Sequence, residues 1–457
     1  MSLRIKEHSI YFLGIGGIGM SALARYFLVK GYQIHGYDRT TTTLTQNLEN
    51  EGMIIHYHED PELIPAETGL VIYTPAIPAA NSELQYLQKS GVRMMKRAEV
   101  LGMLSSEYKT IACAGTHGKT TTSSMVSHLM EQSHVGCQAF LGGISRNFDS
   151  NLMISETSPF MVVEADEYDR SFLHLHPYIA IITSIDSDHL DIYNDLATFH
   201  KAFSTFTGNI VPKGSLIIKK GLELPLQLTA DSNEYRYSVN ENADFYASNL
   251  RLENNLYHFD FNYPNGRINN LVLGIPGLYN VENAVAALAA AFLSGVTPEE
   301  MSRGLATFKG VKRRFDIRLN ENNLVYIDDY AHHPEEINAC IRSARAMFPN
   351  RKLTGIFQPH LFSRTRDFAI EFAKSLAMLD EVLLLPIYPA RELPIQGINS
   401  QMLLSLMKHN NKHLVEKADI PGYFKGKHTE VLITMGAGDI DTLVEPIENY
   451  FRTNKIK

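Results

Sequence analysis

The chain has 457 residues, of which 44% are hydrophobic and 20% are charged, so it should divide into about three domains with separate cores. Its net charge of -8 argues against a nucleic-acid partner, since such proteins usually gather Lys and Arg on one face. The 3 cysteines, Cys113, Cys137 and Cys340, are too few for a disulfide framework. The N-terminus lacks the pattern of a signal peptide, and the apolar run at residues 284–293 is too short to span a bilayer. We therefore expect a cytoplasmic protein with no membrane partner.

The first segment reads as a strand, a glycine turn, a helix and a second strand. GIGGIGMSALA at residues 14–24 opens the helical pattern, and Asp38 ends the next apolar run. Glycines there let backbone N–H groups approach a diphosphate at the helix N-terminus. NAD is the usual ligand of such a loop, but any nucleotide diphosphate carries the same charge, and a structural turn is a third interpretation. The loop that begins at Thr74 would face the same crevice, and a rigid turn without a binding role is the alternative interpretation.

A second glycine loop lies in IACAGTHGKTTTSS, residues 111–124. The strict phosphate-loop pattern has a glycine where Cys113 stands, but residues 115–121 still supply the backbone N–H groups that bind phosphate. Lys119 can reach terminal phosphates, and Thr120 or Thr121 can offer a hydroxyl to Mg²⁺. The loop therefore predicts a nucleotide triphosphate site.

Two later apolar runs end in acidic residues, EADE at residues 164–167 and DSDHLD at residues 186–191. Mg²⁺ prefers oxygen ligands and needs a carboxylate near the phosphates. Two acidic strand ends beside a phosphate loop therefore predict a metal site.

The rest of the chain continues the α/β pattern. Alternating, turn-rich sequence at residues 216–273 predicts an antiparallel insertion, and a third start near Arg314 has four strand-then-loop units. The motif DDYAHHP, residues 328–334, places two acidic residues, the second of them Asp329, and two histidines on one turn at the end of a strand. We expect an α/β fold with an N-terminal Rossmann-like domain at 1–106, a central P-loop domain at 107–313 with a mostly parallel sheet and a small antiparallel part, and a C-terminal Rossmann-like domain at 314–457.

Several motifs, in this order, closely resemble the Mur ligases, ATP-dependent amide-bond-forming enzymes of peptidoglycan synthesis. They are GTHGKTT, EADE, DSDHLD, LYNVENA, KRRFD and DDYAHHP. RAEVLG at residues 97–102, FQPHLFSRTRD at 357–367 and YPARELP at 388–394 extend the resemblance over nearly the whole chain. It implies a UDP-sugar-binding domain, an ATP-binding domain and a C-terminal domain that closes over both.

The resemblance also implies the reaction. The lactyl carboxylate of UDP-N-acetylmuramate would attack the γ-phosphate of ATP, and an amine would displace phosphate from the acyl phosphate. By the same resemblance, HLHP at residues 174–177 and YPARE at residues 388–392 favour L-alanine as this amine. The alternative within the family is the tripeptide L-Ala-γ-D-Glu-diaminopimelate, used in cell-wall recycling. An NAD-dependent oxidoreductase with an accessory ATPase and a non-catalytic ATP-driven switch are more distant alternatives, and a monomer and a homodimer are both open.

The same resemblance reassigns the first glycine loop from NAD to the diphosphate of a UDP-sugar. The residues expected to bind the UDP-sugar are Gly16, Gly17, Ile18, Gly19, Met20, Asp38 and Thr74. Those expected to bind ATP are Gly115, Thr116, His117, Gly118, Lys119, Thr120, Thr121, Asn280, Asn283, Arg314 and Asp329.

The resemblance implies two Mg²⁺ ions, replaceable by Mn²⁺, and an amino-acid pocket in the C-terminal domain. The expected metal ligands are Thr120, Glu164 and His189. The expected amino-acid-binding residues are Tyr330, His332, His360 and Arg364. The expected catalytic residues are Lys119, Glu164, His189, Arg314, Asp329, His332, His360 and Arg364.

Two positions depart from the family pattern. Leu361 stands where relatives often carry an arginine, so Arg366 or Arg391 is an alternative part of the amino-acid clamp. Several family members carry a carbamylated lysine near the position of Lys201, but its spacing from His189 favours an ordinary surface lysine.

Overall fold

The computed structural model describes residues 9–186, 193, 195–321, 323–390 and 392–453. The strands in these ranges form three mostly parallel sheets with helices packed on them, which confirms the expected α/β class. The chain divides into two compact units. The first comprises Met1–Arg251, His258–Gly274 and Val281–Lys309, and the second comprises Leu252–Tyr257, Ile275–Asn280 and Gly310–Lys457. The domain boundaries at 106/107 and 313/314 stay predictions.

The first sheet is parallel and has the strand order β3-β2-β1-β4-β5. The apolar run SIYFL forms its central strand and is buried along its whole length, as expected for a sheet covered on both faces. The strands are β1 Ser9–Leu13, β2 Gln33–Tyr37, β3 Ile54–His56, β4 Thr68–Tyr73 and β5 Met94–Lys96. The helices are α1 Ile18–Val29, α2 Thr43–Asn50, α3 Ser82–Ser90 and α4 Arg97–Ser105.

The second sheet has ten described strands in the order β15-β14-β13-β12-β11-β10-β6-β9-β7-β8. Its strands are β6 Lys109–Ala114, β7 Gln138–Ser145, β8 Ser150–Met153, β9 Phe160–Glu164, β10 Ile179–Ile182, β11 Ser215–Lys219, β12 Asn233–Val239, β13 Phe245–Glu253, β14 Leu256–Tyr263 and β15 Gly266–Val272. The helices are α5 Lys119–Glu131, α6 Leu196–Gly208, α7 Leu278–Leu293 and α8 Pro298–Thr307.

The predicted antiparallel insertion needs a correction. β11, β12 and β13 pair in parallel and extend the central sheet, whereas the β14–β15 pair is antiparallel. Alternating polarity reports that one face of a strand is buried, but it does not report the direction of the neighbouring strand.

The third sheet has the order β16-β17-β21-β18-β19-β20, with an antiparallel β16–β17 pair and parallel pairs elsewhere. The strands are β16 Asp316–Asn320, β17 Val325–Asp329, β18 Leu353–Phe357, β19 Glu381–Leu384, β20 Lys412–Leu414 and β21 Val431–Met435. The helices are α9 Pro334–Met347, α10 Phe362–Asp367, α11 Ala369–Leu376, α12 Ser400–Leu406, α13 Ile420–Tyr423 and α14 Val444–Thr453.

Strand register brings the functional loops of each sheet to one edge. Cys113 of β6 is the register partner of Glu164 of β9, so the second glycine loop and the first acidic turn leave the sheet side by side. In the third sheet Asp329 of β17 and Phe357 of β18 are both partners of Met435. Ligands of parallel α/β sheets bind at this carboxyl edge. No helix in the described ranges is long and apolar enough to cross a membrane.

Candidate active site

The phosphate loop connects β6 to α5 in a conformation that requires two glycines. Gly115 and Gly118 have φ of +130° and +83°, values that L side chains rarely adopt. A Cβ atom at Gly115 would lie 2.2 Å from Oγ1 of Thr183, and one at Gly118 would lie 2.5 Å from Oδ1 of Asn283. The loop is therefore shaped by its own glycines although Cys113 replaces the first glycine of the strict pattern.

Lys119, the first residue of α5, is folded back onto this loop. Its Nζ donates to the carbonyl oxygen of Gly115 at 2.6 Å and lies 2.9 Å from Oε1 of Glu167. Burial lowers the pKa of Lys119, but the charges of Glu167, Asp166 and Glu164 raise it more, so the net shift is upward. The ammonium is therefore held charged at the place where phosphates would bind.

The loop is also held by two hydroxyl residues that sequence reasoning missed. Oγ of Ser184 lies 2.8 Å from Oγ1 of Thr116 and accepts from the backbone N–H of His117 at 2.8 Å, while Thr183 donates to the carbonyl oxygen of His117. Their signal was two hydroxyl residues directly after the buried strand β10, at the same sheet edge.

The two asparagines that are expected to bind ATP, Asn280 and Asn283, both lie on α7. Oδ1 of Asn283 accepts from Oγ1 of Thr122 at 3.3 Å and contacts the phosphate loop at Gly118. Asn280 donates from Nδ2 to the carbonyl oxygen of Pro276 at 2.6 Å. Asn283 and the phosphate loop belong to the same compact unit, and Asn283 lies beside this loop.

The carboxylate of Glu164 is suited to a cation. It ends β9 beside Cys113, and its buried Oε2 has no hydrogen-bond partner within the described residues. The described ranges contain no group of three or more His, Cys, Asp or Glu able to hold a metal. One carboxylate, a hydroxyl such as that of Thr120, waters and phosphates together can satisfy Mg²⁺, so the residues present fit this ion. His189, the third predicted ligand, lies outside the described residues.

The first glycine loop is held by Asp38. Its carboxylate accepts from the backbone N–H of Gly16 at 2.8 Å and from that of Thr40 at 3.1 Å. The Gly16 N–H is thus directed at Asp38. Thr74 lies at the same edge, since a Cβ at Gly14 would be 2.7 Å from its Cγ2. The predicted residues of this site are thus brought together, with Asp38 stabilising the loop.

In the second unit, Asp329 is buried at the end of β17. Its carboxylate accepts from the backbone N–H groups of Phe315 and Ala331, both at 2.7 Å. Burial raises the pKa of Asp329 to about 7, although the charge of Arg314 and these N–H groups oppose the shift. The Arg314 guanidinium lies 4.9 Å from the ring centre of Tyr330, so three predicted residues form one cluster.

Aromatic contacts continue this cluster. The ring of His332 is 5.2 Å from that of Tyr330 and 6.2 Å from that of His360. His360 in turn stacks on Tyr388 at 5.8 Å, a contact not predicted from the sequence. The geometry joins three of the four predicted amino-acid-binding residues.

The positions linked to the amino-acid clamp differ in their surroundings. Leu361 is buried with φ of +70° and precedes α10, the helix that carries Arg364. The half-exposed Arg366 on the same helix pairs with Asp367 at 2.7 Å. Arg391 lies outside the described residues. Lys201 is exposed on α6, as expected of a surface lysine.

An α/β fold with a phosphate loop, a diphosphate-type loop and a cluster of acid, arginine and histidine at a third sheet edge defines a nucleotide-dependent enzyme. Family models match three successive stretches: the Mur ligase family catalytic domain at residues 9–109, the Mur ligase middle domain at 113–291 and the Mur ligase glutamate ligase domain at 313–438. The chain belongs to the Mur ligase family and is a ligase.

Curated relatives and solved structures match the chain almost from end to end. The UDP-N-acetylmuramate–L-alanine ligase of Parabacteroides distasonis is 50% identical and that of Phocaeicola vulgatus 51%, with 97% and 96% of this chain covered and 97% of each relative. The structure of the UDP-N-acetylmuramate-alanine ligase from Thermotoga maritima has a TM-score of 0.84 at 28% identity, covering 98% of this chain and 99% of that one. A murein peptide ligase from Psychrobacter arcticus, with a TM-score of 0.72, 21% identity and coverage of 97% and 98%, shares the fold.

Proposed function

We propose that the protein joins L-alanine to the lactyl carboxylate of UDP-N-acetylmuramate, with conversion of ATP to ADP and phosphate, in peptidoglycan synthesis in the cytoplasm. The observation that carries this proposal is the match, at about half identity over nearly the whole chain, to curated proteins named for this ligation. The geometry of the two glycine loops and the C-terminal cluster supports it.

The phosphoryl-transfer residues follow from the phosphate loop. Backbone N–H groups of residues 115–121 would hold the ATP phosphates, and Asn283, beside this loop, would contribute to the nucleotide site. Lys119 would exchange part of its interaction with Glu167 for the transferred γ-phosphoryl group. Its charge would stabilise the negative charge that develops as the lactyl carboxylate attacks.

Magnesium would be held by Glu164 and Thr120 together with the phosphates. Glu164 is suited to this role because its Oε2 is buried without a hydrogen-bond partner within the described residues. When bound, the metal neutralises phosphate charge and orients the phosphoryl group. His189 remains the proposed ligand of a second ion, and Mn²⁺ should substitute for Mg²⁺.

The cluster at the third sheet edge would serve the later part of the reaction. Arg314 and Asp329 are proposed to bind ATP, and Tyr330, His332, His360 and Arg364 to bind the amino acid. A guanidinium can bind the alanine carboxylate through two parallel hydrogen bonds. A histidine can accept the proton that the attacking ammonium must lose before its nitrogen forms the amide. The same reaction releases phosphate from the acyl group.

The experiment that tests this function is product identification by mass spectrometry. The purified chain would be incubated with ATP, Mg²⁺, UDP-N-acetylmuramate and an equimolar mixture of L-alanine, glycine, L-serine and the tripeptide. We expect UDP-N-acetylmuramoyl-L-alanine as the main product, and a tripeptide adduct as the main product would refute the proposal. Stabilisation against thermal unfolding by UDP-N-acetylmuramate and none by NAD would exclude the oxidoreductase alternative.

A further inference from the structure

Arg97, the first residue of α4, lies against the first glycine loop. A Cβ atom built at Gly19 would be 2.6 Å from Nη1 of Arg97 and 3.2 Å from its Cδ. Gly19 has an ordinary negative φ and is the second residue of α1, so its backbone does not require glycine. Gly19 thus makes room for a guanidinium at the N-terminal turn of α1.

The placement of Arg97 is fixed by the helix that carries it. The backbone N–H of Lys96 donates to Oε2 of Glu99 at 2.7 Å, which caps the start of α4. One turn further on, a Cβ at Gly102 would lie 2.6 Å from the carbonyl oxygen of His174, so α4 packs tightly on the segment after EADE. The RAEVLG motif thus sets the position of one cation between two loops.

The ion pair between Arg97 and Asp166 is weak. Its Nη2 lies 3.6 Å from Oδ2 of Asp166, which is longer than a hydrogen bond, and the Asp166 side chain is 37% exposed against 21% for Arg97. The Asp166 carboxylate does not depend on Arg97 as its partner, since it also accepts a hydrogen bond from the backbone N–H of Tyr168 at 3.1 Å. The guanidinium therefore retains donors for an anion.

The location of this cation is electrostatically unusual. Arg97 occupies the first turn of α4 and contacts the first turn of α1, and helix N-termini carry partial positive charge. A cation near two such ends is unfavourable unless an anion compensates it, and the carboxylate of Asp166 is 3.6 Å away and partly exposed to solvent. Glycine loops of this kind place the diphosphate of a nucleotide at the N-terminus of the helix that follows, which is where Gly19 meets Arg97.

We propose that Arg97 binds the diphosphate of the UDP-sugar directly and that Asp166 competes with this diphosphate for its guanidinium. The inference rests on the proposed sugar-nucleotide function of the first loop. It adds a charged side chain to a site for which the sequence had offered backbone groups, Asp38 and Thr74. It also explains why a glycine occupies position 19, since any larger side chain there would displace the guanidinium.

The test is the affinity of the full chain for UDP and for uridine, measured by isothermal titration calorimetry. Arg97→Ala should weaken UDP binding about tenfold or more, because a charge-assisted hydrogen bond is lost, while uridine affinity changes less than about twofold. Arg97→Lys should lie between. Lys96→Ala is the matched control: this neighbouring cation pairs with Asp169 at 3.3 Å and should leave UDP affinity unchanged.

A double-mutant cycle tests the competition. Asp166→Asn should strengthen UDP binding a few-fold in the wild-type background and have no effect in the Arg97→Ala background. An equal gain in UDP affinity in both backgrounds would show that Asp166 acts through its negative charge and not through Arg97, which would overturn the proposed competition.

Other outcomes overturn the contact itself. Equal losses for UDP and uridine in Arg97→Ala, or no loss for UDP, would show that Arg97 only connects two structural elements. Failure of the wild-type chain to bind UDP or UDP-N-acetylmuramate while binding NAD would instead refute the proposed function, so the two failures are distinguishable.

Discussion

Nζ of Lys119 lies 2.8 Å from Oε2 of Glu167, and the two side chains are only 13% and 1% exposed. The catalytic cation proposed for phosphoryl transfer is therefore already compensated by a buried carboxylate in the phosphate loop's own unit. This pairing holds the ammonium at the loop, and it makes the stability of the loop depend on both partners.

Glu167→Gln keeps the side-chain volume but removes the carboxylate that pairs directly with Lys119. We expect the free energy of unfolding to fall by about 3 kcal/mol, as for other buried pairs that lose one partner. Lys119→Met should lower turnover at least about 100-fold. The double variant should regain much of the lost stability and remain inactive. Urea unfolding and ATP turnover measure both effects, and a Glu167→Gln protein as stable as wild type would contradict the pairing.

Gly118→Ala should damage the nucleotide site more than the fold. The new Cβ would lie 2.5 Å from Oδ1 of Asn283, and φ of +83° adds backbone strain of about 1 kcal/mol or more. We expect a rise in KM for ATP of about tenfold or more. Gly91→Ala is the control, because Gly91 has φ of +77° with open space around it. It should lose similar stability with an unchanged KM, and equal KM effects in the two variants would refute the steric explanation.

His128 on α5 should make stability depend on pH. Burial lowers its pKa to about 4 from an ordinary value of 6.5, so the folded state binds fewer protons than the unfolded state between these values. Stability should therefore fall as pH drops from about 6.5 towards 4, by up to about 3 kcal/mol from this group.

The check for His128 is the difference between wild type and His128→Gln in urea unfolding at several pH values. Gln can keep the contact that Nε2 makes with Oγ1 of Thr307 at 3.0 Å, but it does not titrate. The variant should lose the acid-dependent part of the curve, whereas the exposed His58→Gln should keep it. An identical slope in wild type and His128→Gln would show that His128 is not held neutral.

The amino-acid pocket can be tested with two arginines of the same short helix. Arg364→Ala should raise KM for L-alanine about tenfold or more and leave KM for ATP nearly unchanged, since a carboxylate contact is lost. Arg366→Ala should behave like wild type, because Arg366 is half exposed and pairs with Asp367. The reverse result would transfer the clamp to Arg366, the alternative that Leu361 had left open.

Much of the architecture follows from local sequence. The buried run TIACA before GTHGKT predicts a strand that enters a phosphate loop, and β6 and α5 confirm it. Strand direction was less accessible: the alternating pattern after Leu216 belongs in part to strands that extend the parallel sheet. The periodicity of apolar residues indicates which face of a strand is buried. The direction in which two strands pair depends on how the chain connects them.

Long-range side-chain contacts were the least predictable part of the site. Glu167 had appeared only as one of several acids, and its contact with Lys119 joins residues 48 positions apart. Arg97 belonged to a motif noted for its resemblance alone, and its contact with Gly19 depends on how α4 packs. Such contacts are fixed by tertiary packing, which leaves no regular spacing in the sequence.

The most direct test of the central claim is phosphate release from ATP with UDP-N-acetylmuramate and, in parallel reactions, L-alanine, glycine, L-serine or L-Ala-γ-D-Glu-diaminopimelate. We predict release that depends on both the sugar nucleotide and an amine and is fastest with L-alanine. Release with the tripeptide alone would place the enzyme in cell-wall recycling, and no release with any amine would contradict the ligase function.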